Sequence, residues 1–106
     1  MPEAARGDQT DVVESLTGSG NNCASPLTTS TNECSPNVFA LEIGIVRKDD
    51  KVNPHPKAGC GTDTSGLTTF SSNVFVNNLN AGRNGDNYTS DNTIVTGAPT
   101  VFINGR

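Results

Sequence analysis

The apolar residues of this chain fall in short bursts, not in a stripe at helical spacing. The bursts are Val38-Phe39-Ala40-Leu41, Ile43 to Val46, Val74-Phe75-Val76, Ile94-Val95 and Val101-Phe102-Ile103, bounded by Gly, Asn and Pro. Runs of that length between turn formers predict strands. Asn, Thr, Ser and Gly are abundant everywhere else and suit turns and strands better than helix interiors. The expected fold class is all-β.

The bursts recur in one cassette. Ser35-Pro36-Asn37-Val38-Phe39 leads to Arg47-Lys48-Asp49-Asp50, and Ser71-Ser72-Asn73-Val74-Phe75 leads to Arg83-Asn84-Gly85-Asp86, at a constant offset (71 − 35 = 86 − 50 = 36). A third opening, Ala98-Pro99-Thr100-Val101-Phe102-Ile103-Asn104-Gly105-Arg106, runs to the C-terminus. Its second half is at the other end, where Ala4-Ala5-Arg6-Gly7-Asp8 matches Ala81-Gly82-Arg83-Asn84-Gly85-Asp86 less one residue. Each cassette reads as a hairpin. Asn77-Asn78 turns the second, and Asn104-Gly105 turns the third, whose return strand is Pro2 to Arg6. The first has Leu41-Glu42 at the turn, which predicts a looser or bulged hairpin. Internal repeats decide a fold before single motifs do. This one predicts a single domain over 1–106, pseudo-threefold and closed through its own termini.

Composition narrows the function. Hydrophobic residues make up 32% of the 106, with no Trp and one Tyr, low against the about 45–50% apolar of ordinary soluble domains even allowing that the latter count includes Gly. Something beyond apolar burial is expected to help hold so small a body, such as a metal, a partner surface or extensive backbone pairing. A net charge of −4 without a basic run argues against nucleic-acid binding. No stretch approaches the roughly 20 apolar residues of a membrane helix. The N-terminus lacks the basic and apolar regions of a signal peptide, which points to maturation in a reducing cytoplasm.

Between the cassettes lie loops from Gln9 to Glu33, from Lys51 to Phe70 and from Asn87 to Gly97. The first, with Thr17 to Asn22 and Thr28 to Asn32, is flexible by composition. The soft and imidazole ligands of the chain are Cys23, Cys34, His55 and Cys60. Three thiols and one imidazole satisfy a tetrahedral zinc site. His55 and Cys60 are the tightest pair, with Pro54 and Pro56 stiffening the chain around the imidazole. The alternative for each is an inert buried thiol or an ordinary loop histidine. The paired ends Arg6/Asp8, Arg47/Asp50 and Arg83/Asp86 repeat in equivalent places, which argues for a structural ion pair rather than catalysis or adhesion. With one His, no phosphate loop and no nucleophile elbow, the chain is not expected to be an enzyme.

Pro2-Glu3-Ala4-Ala5-Arg6-Gly7-Asp8, the run from Asn73 to Asp86, and Ile94 to Gly105 resemble the PAAR-repeat proteins. The family's Pro-Ala-Ala-Arg run is interrupted here as Pro2-Glu3-Ala4-Ala5-Arg6. The resemblance implies a small β-rich cone built of short hairpins. Its base would cap a trimeric β-helical spike, one tip per trimer, and its vertex would help pierce a target cell envelope. It also implies one structural metal near the vertex, zinc or alternatively iron, held by His and Cys. Here His55 and Cys60 are in the matching loops, with Cys23 and Cys34 as further candidates. The chain departs from the family's His-rich pattern after Asp8 and Asp86. With no effector extension, the expected setting is a contractile phage tail baseplate made in the host cytoplasm, ahead of type VI secretion. The rival readings are a small Cys/His metal-binding or redox protein and a β-hairpin adhesion or carbohydrate-binding module.

Overall fold

The computed structural model describes residues 2–15, 27–56, 62–89 and 92–104. Among the described residues the chain is all-β, without helix, and its strands are short. They are β1 (Val12–Ser15), β2 (Leu27–Ser30), β3 (Phe39–Ala40), β4 (Ile43–Gly44), β5 (His55–Pro56), β6 (Thr62–Asp63), β7 (Phe75–Val76), β8 (Leu79–Asn80), β9 (Asn87–Tyr88) and β10 (Asn92–Ile94).

The repeat seen in the sequence is a repeat of backbone bonds. Phe39 pairs with Gly44 and Ala40 with Ile43 in β3–β4; Phe75 pairs with Asn80 and Val76 with Leu79 in β7–β8. The third hairpin is built from the two chain ends, with Phe102 bridged to Glu3 and the Ile103 amide donating to the Pro2 carbonyl at 2.9 Å. Each hairpin closes alike. Ser35, Ser71 and Ala98 donate to the carbonyls of Ile45, Ala81 and Ala4 at 2.9, 2.8 and 2.9 Å. Ile45, Ala81 and Ala4 donate in turn to Val38, Val74 and Val101 at 3.0, 2.9 and 2.8 Å.

The three return strands meet in a triangle. The Ala5 amide donates to Gly82 at 3.1 Å, Gly82 to Val46 at 2.7 Å, and Val46 back to Ala5 at 3.0 Å. Bridges Ala4–Arg83, Arg47–Ala81 and Arg6–Ile45 flank those bonds. Side chains alternate across a strand, so the triangle divides two small cores. Ala4, Ile45 and Ala81 join Ala40, Val76, Ala98 and Ile103 under the hairpins. Ala5 and Val46 join Val13, Val52, Leu67, Tyr88 and Ile94 on the other side. Gly82 is the third corner, and a Cβ there would come within 2.7 Å of the Leu67 side chain. The missing side chain makes room for the larger one.

Two expectations are corrected. The β3–β4 hairpin is neither loose nor bulged, for Leu41 and Glu42 (φ 52° and 72°) adopt the same left-handed turn as Asn77 and Asn78 (53° and 68°). The flanking register and the triangle fix both strand ends, so the turn must be tight whatever residues fill it. A left-handed conformation costs a non-glycine residue about 1–2 kcal/mol, least for Asn. Replacing Leu41-Glu42 by Asn-Gly is therefore expected to raise stability by about 1–2 kcal/mol, read as a higher urea midpoint at unchanged slope. The second correction concerns the loop from Gln9 to Glu33. Thr28, Thr29 and Ser30 are not linker but ladder, paired with Glu14, Val13 and Val12. Threonine is β-branched and fits a pleated surface. Thr17 to Asn22 lie outside the described residues. β1 also pairs with β10 and β10 with β9, giving a four-stranded sheet in the order β2-β1-β10-β9.

A polar lock links neighbouring hairpins. The Ser35 hydroxyl donates to the Asn77 side chain, and the Ser71 hydroxyl donates to the Asn104 carbonyl at 2.6 Å. The equivalent positions at the remaining junction are Ala98 and Leu41, which make no such bond through their side chains. The loss of the turn asparagine thus goes together with the loss of its serine partner.

Candidate functional site

Beyond the triangle stands a shelf of three ion pairs. In each, the arginine amide and Nε converge on one carboxylate oxygen and Nη2 reaches the other. The Nη2 distances are 2.9 Å for Arg6–Asp11, 3.0 Å for Arg47–Asp50 and 3.0 Å for Arg83–Asp86. The carboxylate bond, against a desolvation that works the other way, raises the Arg6 and Arg47 guanidinium pKa values. The partner of Arg6 is Asp11, not Asp8, which is exposed. The N-terminal copy has a longer turn, with Asp8 and Gln9 at positive φ. One signal marked the right aspartate: Asp11, Asp50 and Asp86 each stand two residues before a buried Val13, Val52 or Tyr88. In all three pairs both carboxylate oxygens are engaged by the arginine, so the shelf holds the fold.

On the far side of the second core, His55 pairs with Asp63 across β5–β6 and is 6% exposed. Its Nδ1 is 2.8 Å from the Asn53 carbonyl. A carbonyl accepts, so Nδ1–H donates to it, and a ring held by such a bond is the usual support of a metal-binding imidazole. The segment 57–61 that joins β5 to β6 carries Cys60. Cys60 and Cys23 lie outside the described residues. Cys34 is half-buried, packed against the second core beside Gly7 and Gly44. Burial, then the Asp50 charge, pushes its thiol pKa up. A protonated thiol is a poor nucleophile, which weighs against the redox reading at this cysteine. The described residues bring no three His, Cys, Asp or Glu side chains into one metal-sized group.

Among the described residues the three hairpins carry an exposed apolar surface. The exposed large hydrophobics are Val38, Phe39, Leu41, Phe75 and Phe102, all of them on the three hairpins. Phe39, Phe75 and Phe102 are 56%, 58% and 51% exposed, while the next residues, Ala40, Val76 and Ile103, are buried. The sequence reading assigned the partner to the base of the cone but named no residues for it. The period-2 alternation Phe-out, aliphatic-in was the signal that would have found them.

Neither a protein-family model nor a curated protein matches this chain.

Proposed function

We propose that this chain is the tip of a contractile injection machine, capping a trimeric β-helical spike and serving mechanically in the piercing of a bacterial envelope. The observation that supports this reading best is the backbone triangle of Ala5, Val46 and Gly82, with its three equivalent hairpins. A single chain with threefold repetition of its bonds matches a partner whose three chains meet on one axis. A body of 38 × 24 × 22 Å suits a narrow cap, and the cone of the resembled family is the shape proposed for it. The ion-pair shelf and backbone ladders supply rigidity where apolar burial is scarce.

The proposal includes one structural metal, with the oriented imidazole of His55 as its starting point. His55, oriented by Asn53, and Cys60 are the proposed ligands, with Cys23 and Cys34 as further candidates. A bound zinc ion would tie the loop ends together and add its binding energy to folding. Protein purified without added zinc is expected to carry one equivalent by elemental mass spectrometry, and His55→Ala to lose it together with several degrees of melting temperature. Metal-free protein with unchanged melting on chelation would remove the metal from the proposal.

The tip reading is tested by native mass spectrometry with a panel of trimeric β-helical spike end domains. A complex of one chain per trimer is expected. Failure to bind any, with the chain folded, would overturn the reading.

A further inference from the structure

We infer that Phe39, Phe75 and Phe102 are the anchors by which this chain seats on its partner, each entering an apolar socket offered by one of three identical chains. The inference rests on the spike-tip reading and specifies its interface. A partner with exact threefold symmetry presents the same surface to all three hairpins, so only features identical in the three copies are read equally well. Across the hairpins the identical residues are few. The arginines, Arg6, Arg47 and Arg83, are committed to their carboxylates. The valines face inward in part, Val74 and Val101 packing against the first core. The phenylalanines are identical in all three copies, and each is more than half exposed.

Internal packing does not explain them. The adjacent Ala40, Val76 and Ile103 fill the core and vary in size, whereas the outward residue is Phe three times, using three of the four in the chain. The turn tips, Leu41-Glu42 against Asn77-Asn78, differ between copies and so lie outside what the partner reads. Exposed aromatic residues grouped on one face are the usual anchors of a protein interface.

The test uses the full chain, the same trimeric β-helical end domains, and the variants Phe39→Ser, Phe75→Ser, Phe102→Ser and their triple combination. Half-exposed side chains contribute little to folding, so each variant is expected to melt within a few degrees of the parent. Each single change is expected to weaken binding by about tenfold or more, and by a similar factor at all three sites. The triple variant is expected to show no complex. A parent that binds one per trimer alongside a triple variant that binds equally well would overturn the anchors and leave the tip reading standing. A parent that binds no trimer would overturn both. A parent that instead forms dimers dissolved by the triple change would assign the face to a second copy and overturn the inference.

Discussion

Replacing Asp86 with alanine is expected to destabilise the protein by about 3–5 kcal/mol, the cost of leaving a buried charge without its partner. That is a large share of the roughly 5–15 kcal/mol available to a domain of this size. Both members of the Arg83–Asp86 pair are only 3% exposed. The carboxylate accepts from the Arg83 amide, Nε and Nη2 and from the Thr69 hydroxyl. Removing it orphans four donors at once, in a place where Arg83 Nη1 already has no partner among the described residues. The equivalent change at Asp50 is expected to cost about half as much or less. Arg47 is 17% exposed, and its Nη1 and Nη2 keep bonds to Asn77 and to the Cys34 carbonyl. Urea denaturation of Asp86→Ala, Asp50→Ala and Asp86→Asn checks the order. Asp86→Asn keeps volume and one acceptor oxygen and is expected to fall between parent and alanine. Losses below about 1 kcal/mol at both sites would show the shelf to be ornamental.

The shelf also shows what the sequence could and could not convey. Two hairpins were legible because strand period and the 36-residue offset coincide at Val74 to Arg83 and again at Val38 to Arg47. The union of the two chain ends was legible because Asn104-Gly105 reads as a turn signal without a return strand; Gly105 itself lies outside the described residues. The partner of Arg6 was not. Arg6-Gly7-Asp8 looks like the motif end, but the turn there takes two further residues, and the ion pair is fixed by where Val13 must be buried, not by chain spacing. Leu41-Glu42 misled for a related reason. Turn propensity is a local preference of about 1 kcal/mol per residue, and the cooperative pairing of Phe39 with Gly44 and of Ser35 with Ile45 overrides it. The second core was hidden in what composition labels loops, because its members Val52, Leu67 and Tyr88 stand singly among polar residues. Single apolar positions have no period, and only the threefold equivalence of their surroundings gives them a common address. The exposed phenylalanines were visible as one half of a period-2 alternation, and strand register then decides which half faces out.

Gly44→Ala is the second change expected to be severe, at about 3 kcal/mol, the upper end of the cost of overpacking. A Cβ on Gly44 would lie inside van der Waals contact with the Ser35 carbonyl oxygen and 2.8 Å from the Cys34 sulfur. The first neighbour cannot give way cheaply. Ser35 is held by its amide bond to Ile45 and by its hydroxyl, which accepts from the Val38 amide at 2.9 Å. The other copies carry Asn80 and Glu3 at this place, so the glycine is required by the local approach of the Cys34-Ser35 backbone and not by the hairpin itself. Gly85→Ala is the matched control. It has φ +96° and nothing within 4 Å of a built Cβ, so it bears only the conformational penalty of about 1–2 kcal/mol. Combining Gly44→Ala with Cys34→Ala separates the two contacts. The double variant is expected to recover little, because the backbone oxygen remains. Full recovery would instead place the clash on the thiol, which also lies 2.7 Å from a Cβ built on Gly7. In either case the two glycines form the seat of Cys34, a packing role that stands independently of whether this cysteine ever meets a metal.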